Sequence, residues 1–219
     1  MNYLIISAYF LIITIFIIIV NDIYSIKFLI KLETEHIFKK NSYFKKFNKN
    51  NLISRNIKNK NELENIYLNN CLTFSNNQKE IIKNIVYYIR KKTNNDNIFK
   101  YWKFGLVKNI EADLPHTHKD VIILSQNVLN DLQLNYGVIL FIHEKTHILQ
   151  RKYYSLFNDL YTNYWNFIKV KKIYNFDHLS KIVRLNPDGL DLTWIYKKDN
   201  KYILLLAVFN SLKLRDCSN

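Results

Sequence analysis

Three glycines, two prolines, two cysteines and a single methionine occur in the 219 residues. So little Gly and Pro leaves no flexible linker, no Pro-rich spacer and no low-complexity tract of the usual kind. Cys71 and Cys217 stand far apart. They form neither a disulfide framework nor a paired-cysteine metal site, and they say almost nothing about redox compartment. Acidic residues are also scarce. Asp and Glu number 18 against 32 Lys and Arg, giving a net charge of +14. A basic balance of that size fits an anionic partner such as nucleic acid or a lipid surface. Yet Lys, Asn and Ile rise together, as in KKFNKNNLISRNIKNKNELENIYLNN (residues 45–70), and these three share AT-rich codons. Codon bias accounts for much of the charge, so nucleic acid is the disfavoured partner. Apolar and aromatic residues, by contrast, are plentiful at 48% and 15%. That suffices for one packed domain with accessories.

The apolar residues concentrate first in YLIISAYFLIITIFIIIV, residues 3–20, which carries no charge. Its length matches what a helix needs to cross the hydrocarbon core. A cleaved signal peptide would want a basic lead, a shorter apolar run and a small-residue cleavage site. Here no Lys or Arg precedes the run and NDIYSIKF follows it. The expectation is an uncleaved transmembrane anchor over residues 1–22, with the lipid bilayer as partner. Lys27, Lys31, Lys39 and Lys40 come next, and the positive-inside rule then holds the body on the cytoplasmic side. Residues 23–60 are polar and weakly patterned, and read as a Lys/Asn-rich juxtamembrane segment. Residues 61–219 remain as the folded domain.

Within that domain, SNNQKEIIKNIVYYIRKK opens with Ser75 and Gln78 three residues apart and repeats apolar groups at Ile81, Ile82, Ile85, Val86 and Ile89. This predicts a capping box and an amphipathic helix. Residues 98–108 and 120–125 read as strands, and residues 192–209 as a hairpin turning at Asp199-Asn200. No internal repeat is present. The fold class is α+β, with helices and a small antiparallel or mixed sheet.

One helix breaks its own pattern. In VILFIHEKTHILQR, residues 138–151, His143, Glu144 and His147 interrupt an oily run of helical spacing. Positions i and i+4 share a helix face, so both imidazoles can aim at one point, and neutral imidazoles suit Zn²⁺. Glu144 projects to the side of the pair, within reach of a water on that ion. This is the H-E-x-x-H of zinc metallopeptidases. Zinc acidifies the water and polarises a carbonyl, and Glu144 takes the water's proton for the leaving amine. With 6 His in the whole chain, chance produces far fewer than one such match. Two satisfied histidines on a core helix are the plain structural alternative.

Three segments, LPHTHKDVIILS (114–125), HEKTHILQRKY (143–153) and RLNPDGLDLTWIY (184–196), together resemble a family of zinc metallopeptidase-like proteins encoded mainly by large DNA viruses of protists. The resemblance spans about residues 98–200. It implies a zincin-like domain, zinc at His143 and His147, and Glu144 as base; the body's side of the membrane is then cytoplasmic or virion-interior. The resemblance names no substrate beyond a peptide or protein. It further implies a Glu-containing segment, E-H-P-x-E, after the N-P-D region, where this chain instead reads LKLRDCSN. No Glu follows Glu144. A catalytic zinc usually takes three protein ligands, and Gln150 and Tyr153 occupy the places where a longer H-E-x-x-H motif would carry Gly and His. Asp188 in NPDG, His178 in NFDHLS and Asp159 remain as candidates for the third. His116 and His118, an H-x-H pair on one face of an expected strand, are candidate substrate-binding residues that could also join the metal or serve an oxyanion. The missing Glu leaves a second reading open: a membrane-tethered structural or interaction protein that retains the fold without activity. The aromatic series from Tyr153 to Phe167 recurs at helical steps and reads as a core or membrane-proximal face rather than a base-stacking surface.

Overall fold

The structure is a computed structural model and describes residues 26–39, 42–94, 97–170, 185–188 and 194–204. The expected anchor at residues 3–20 and His178 lie outside the described residues. Among the described residues, no helix is long and apolar enough to cross a membrane.

Strand β1 (Ile26–Phe28) opens the described chain, followed by helices α1 (Lys31–Phe38), α2 (Ser42–Lys45), α3 (Lys49–Ile53) and α4 (Lys60–Asn69). Strand β2 (Cys71–Leu72) leads into α5 (Asn76–Lys92), then β3 (Trp102–Val107), β4 (His116–His118) and β5 (Val121–Ser125). Helices α6 (Gln126–Asn130), α7 (Leu134–Lys152) and α8 (Tyr154–Asp159) come next, then β6 (Phe167–Lys169), β7 (Trp194–Lys198) and β8 (Lys201–Ile203). The protein is α+β, and its main sheet is mixed. β3 pairs in parallel with both β1 and β5, β4 closes one edge antiparallel to β5, and β2 joins the far end of β3 antiparallel.

Residues alternate across the central strands and feed two cores. Trp102, Phe104, Leu106, Ile122 and Leu124 meet Ile82, Ile85, Val86, Ile89 and Phe141 of α5 and α7. Val107, Val121 and Ile123 meet Phe38, Tyr43, Phe44, Phe47, Leu52 and Leu63 of the N-terminal helices. Both faces of the sheet are thus covered, as parallel pairings require. α5 starts as its sequence predicts. The Ser75 hydroxyl accepts from the Gln78 amide, and the Gln78 side chain accepts from the Ser75 amide at 2.9 Å. Arg90, Lys91 and Lys92 then face the negative end of the helix dipole. α5 and α7 approach closely at Gly137, where an added Cβ would stand 2.5 Å from Ile85 Cδ1. The hairpin turns at Asp199-Asn200, both with positive φ as a two-residue hairpin loop of mirror-image twist demands.

Residues 26–57 differ from expectation. The stretch set apart as a juxtamembrane segment forms an entire layer of the body. Its apolar groups were hard to see because they sit in short helices that each turn the chain, so no single period runs through FKKNSYFKKF. Phe38 has no exposed surface, stacks on Phe44 and packs edge-on against Tyr67. Phe38→Ala is expected to cost about 3–5 kcal/mol of folding stability, measured by denaturant unfolding. A detached stalk would show no such loss.

Candidate metal centre

α7 carries the H-E-x-x-H motif with Leu140, Phe141, Glu144 and Ile148 on its buried side. The side chain of Glu144 is therefore turned inward, while His143 is exposed and His147 half-buried. The Nε2 atoms of His143 and His147 are 3.1 Å apart, with ring planes at 88°. Two nitrogens held tetrahedrally by one zinc at about 2.0–2.1 Å stand about 3.3 Å apart, so the pair needs almost no adjustment to share an ion. His147 Nδ1 lies 3.1 Å from Gln150 Oε1. An N–H donated there leaves the lone pair on Nε2, facing His143. Gln150 is fixed in turn, because its amide donates to the Tyr161 hydroxyl at 2.6 Å.

Of the downstream candidates, Asp188 is the one that arrives among the described residues. Carboxylate and imidazole donor atoms of Glu144, His147 and Asp188 all lie within 4.8 Å of one another. Asp188 Oδ1 accepts from the backbone N–H of Thr117 at 2.7 Å and from the Thr117 hydroxyl. Thr117 sits on β4, the edge strand, so an outward backbone donor is free for this purpose. Arg151 Nη2 donates to the same hydroxyl at 2.6 Å and to the Lys119 carbonyl at 3.0 Å. Asp188 also donates its own N–H to Asn186 Oδ1, at 3.0 Å, which tightens the NPDG turn. Asp159 ends α8, where its carboxylate accepts from Asn163 at 2.5 Å, and it is not part of the cluster.

The convergent trio contains Glu144 and omits His143, whereas the motif assigns His143 and His147 to the metal. His147 belongs to both sets. A base that serves a water on the ion must itself stand near the ion, so proximity does not make Glu144 a ligand. Glu144 Oε2 is buried and has no hydrogen-bond partner among the described residues. Burial, and then the neighbouring Asp188 carboxylate, push its carboxyl up to about 8 against the pull of Arg151. Two facing carboxylates and two imidazoles, one atom of them orphaned in the interior, form a donor set that a divalent cation would satisfy. His143 is shifted down by burial and by His147, so it stays neutral and able to ligate.

The H-x-H pair divides its work. His116 and His118 do share a strand face, with ring centroids 5.2 Å apart. His116 lines a cleft of about 270 Å³ together with Leu114, Tyr136, His143, Glu144 and Asp188. Its Nδ1 is bound to the Leu114 carbonyl at 2.9 Å, and its Nε2 is buried with no partner among the described residues. His118 packs edge-on against Phe38 and Tyr43 instead. Burial holds it well below the usual imidazole range, and it does not line that cleft.

The sequence assigns no site role to Thr117, Gln150 or Arg151. Thr117 lies between two histidines that have one, and Gln150-Arg151 follow the motif by one helical turn, so the clue was adjacency rather than residue type. The aromatic series is not a core face: Tyr161 makes ring contacts with Phe157, Trp165, Phe167 and Trp194, but no member of the series is buried, and Tyr153, Tyr154, Tyr164 and Trp165 are exposed. In comparisons with known proteins, the chain matches no family model, no curated protein and no solved structure.

Proposed function

We propose that this chain is a membrane-anchored zinc metallopeptidase with a zincin-like body, in which His143, His147 and Asp188 hold the metal and Glu144 is the general base. One observation carries the reading: His143 Nε2 stands 3.1 Å from His147 Nε2, and His147 and the Asp188 carboxylate meet beside a buried Glu144 oxygen that has no partner among the described residues. The anchor rests on the uncharged run at residues 3–20.

Zinc, when bound, supplies Lewis acidity toward the attacking water and the scissile carbonyl. The protein does the rest. Gln150 fixes the tautomer of His147, and Thr117 with Arg151 orients Asp188. Glu144 takes the water's proton at Oε2 and delivers it to the departing amine. Its raised proton affinity in the metal-free site falls once a cation stands beside it. His116 lines the cleft and is the candidate to bond the peptide group being cleaved.

Metal analysis of the purified full-length chain in detergent is the deciding experiment. About one zinc per chain is expected, and a folded protein that takes up no zinc sinks the proposal. A fragment starting at residue 61 would be a poor choice, since it lacks the layer built by Phe38, Tyr43 and Phe47.

Gln150 gives a further expectation. Gln150→Leu should keep the helix and weaken zinc binding by about 10–100-fold, as loss of a partner behind a ligating histidine does. Competition with a chromophoric chelator measures it.

A further inference from the structure

The short segment that carries Asp188 is tied at two ends. At one end is the Thr117 contact already described. At the other, both backbone groups of Leu185 are bonded to the N-terminal layer. Arg55 Nη2 donates to the Leu185 carbonyl at 2.6 Å, and the Leu185 N–H donates to Asn51 Oδ1 at 2.8 Å. The Tyr43 hydroxyl approaches the same carbonyl at 3.4 Å.

Arg55 and Asn51 are themselves held in place. The Arg55 side chain is buried and pairs with Glu111, from Nη2 at 2.7 Å and from Nε at 3.0 Å. Its Nη1 donates to the Asn51 carbonyl at 3.2 Å. Glu111 also accepts from the hydroxyls of Tyr43 and Tyr67. Asn51 Nδ2 is bonded to Asn48 at 2.8 Å. The turn bearing Glu111 adopts left-handed φ at three successive residues, Glu111, Ala112 and Asp113. L-residues adopt that conformation in series only where the surroundings enforce it. Asp113 does so from the other side, accepting from the Asn109 N–H, Ser125 and Asn127 at 2.7–3.0 Å.

We propose that Arg55 and Asn51 are positioning residues of the metal centre, clamping the Leu185 peptide so that Asp188, three residues on, meets His147 and Glu144. The plain alternative is that Arg55 only neutralises buried Glu111. That task does not call for the Leu185 carbonyl, and it does not involve Asn51 Oδ1 at all. The clamp also explains why residues 42–57 belong to the body: the layer that looked like a stalk fixes the third donor. The consequence for zinc rests on the function proposed above; the consequence for the segment's position does not.

Two variants of the full-length chain test this. Asn51→Ala removes the acceptor for the Leu185 N–H and touches no charge. Arg55→Lys keeps a cation beside Glu111 but lacks the fork that reaches Leu185 as well. The first readout needs no metal. Amide hydrogen exchange at Thr117 reports whether Asp188 is still docked. Exchange about tenfold faster in both variants is expected, as in Asp188→Ala, with Ile122 and Ile123 unchanged. The second is chelator competition. Zinc affinity should fall about 10–100-fold in each variant, with no further fall when either is combined with Asp188→Ala. Thr117 exchange that stays at the wild-type rate overturns the proposal. So does an equal acceleration at Ile122 and Ile123, or an equal loss of affinity in the Asp188→Ala background. Failure of the wild type to bind zinc defeats the metallopeptidase reading, and the exchange result alone then decides the clamp.

Discussion

Glu144→Gln should leave zinc bound and lower peptide hydrolysis by about 10²–10⁴-fold. Gln has the shape of Glu and cannot take a proton from water. Glu144 lies on the inward side of α7 at 3% exposure, with Oε2 unpartnered and the Asp188 carboxylate beside it. An amide there is neutral without the proton uptake that folding imposes on Glu144, whose carboxyl is pushed up to about 8, so near pH 7 the variant should fold at least as well as the wild type without metal. Zinc content by metal analysis and turnover across a mixed peptide library are measured side by side. Zinc retained with activity lost assigns the base. Zinc lost along with activity would instead make Glu144 a ligand, in the trio with His147 and Asp188. Activity retained would end the general-base role.

Sequence patterns revealed the elements whose signal is short-range. The Ser75–Gln78 capping box, the α5 stripe and the Asp199-Asn200 turn each depend on residues a few positions apart, and the structure places all three. His143 and His147 were legible for the same reason, since four residues on a helix fix a shared face. Asp188 was one of three candidates because its approach depends on its own contact with Thr117, 71 residues away, and on that of Leu185 with Asn51, 134 residues away. No local period encodes such a meeting. His118 shows the converse limit. The H-x-H spacing placed it on the face of His116, but which of the two meets the cleft depends on where Phe38 and Tyr43 pack. The N-terminal layer was missed for a third reason. Its apolar residues are divided among α1, α2 and α3, each too short to display an amphipathic stripe, and are diluted by Lys and Asn that point to solvent.

Asp188→Asn should weaken zinc binding by more than the 10–100-fold expected for an outer partner such as Gln150, with affinity still measurable by chelator competition. The substitution is chosen for what it keeps. An Asn carbonyl oxygen can still accept from the Thr117 N–H and hydroxyl, so the segment stays docked on β4 and the neighbours are undisturbed. What changes is the group turned toward His147: a carboxylate becomes a neutral amide, which is a weak zinc donor and carries no charge against the cation. His147→Ala removes the nitrogen common to both arrangements of ligands and should be equally severe. His178→Ala is the informative control, because His178 was the rival third ligand from sequence. Under the assignment to Asp188, it leaves affinity unchanged. All three are read by chelator competition on folded protein, with the Thr117 amide exchange as proof that Asp188→Asn remains docked. If Asp188→Asn binds zinc like the wild type while His178→Ala does not, the third ligand is His178 and the carboxylate of NPDG serves only its turn.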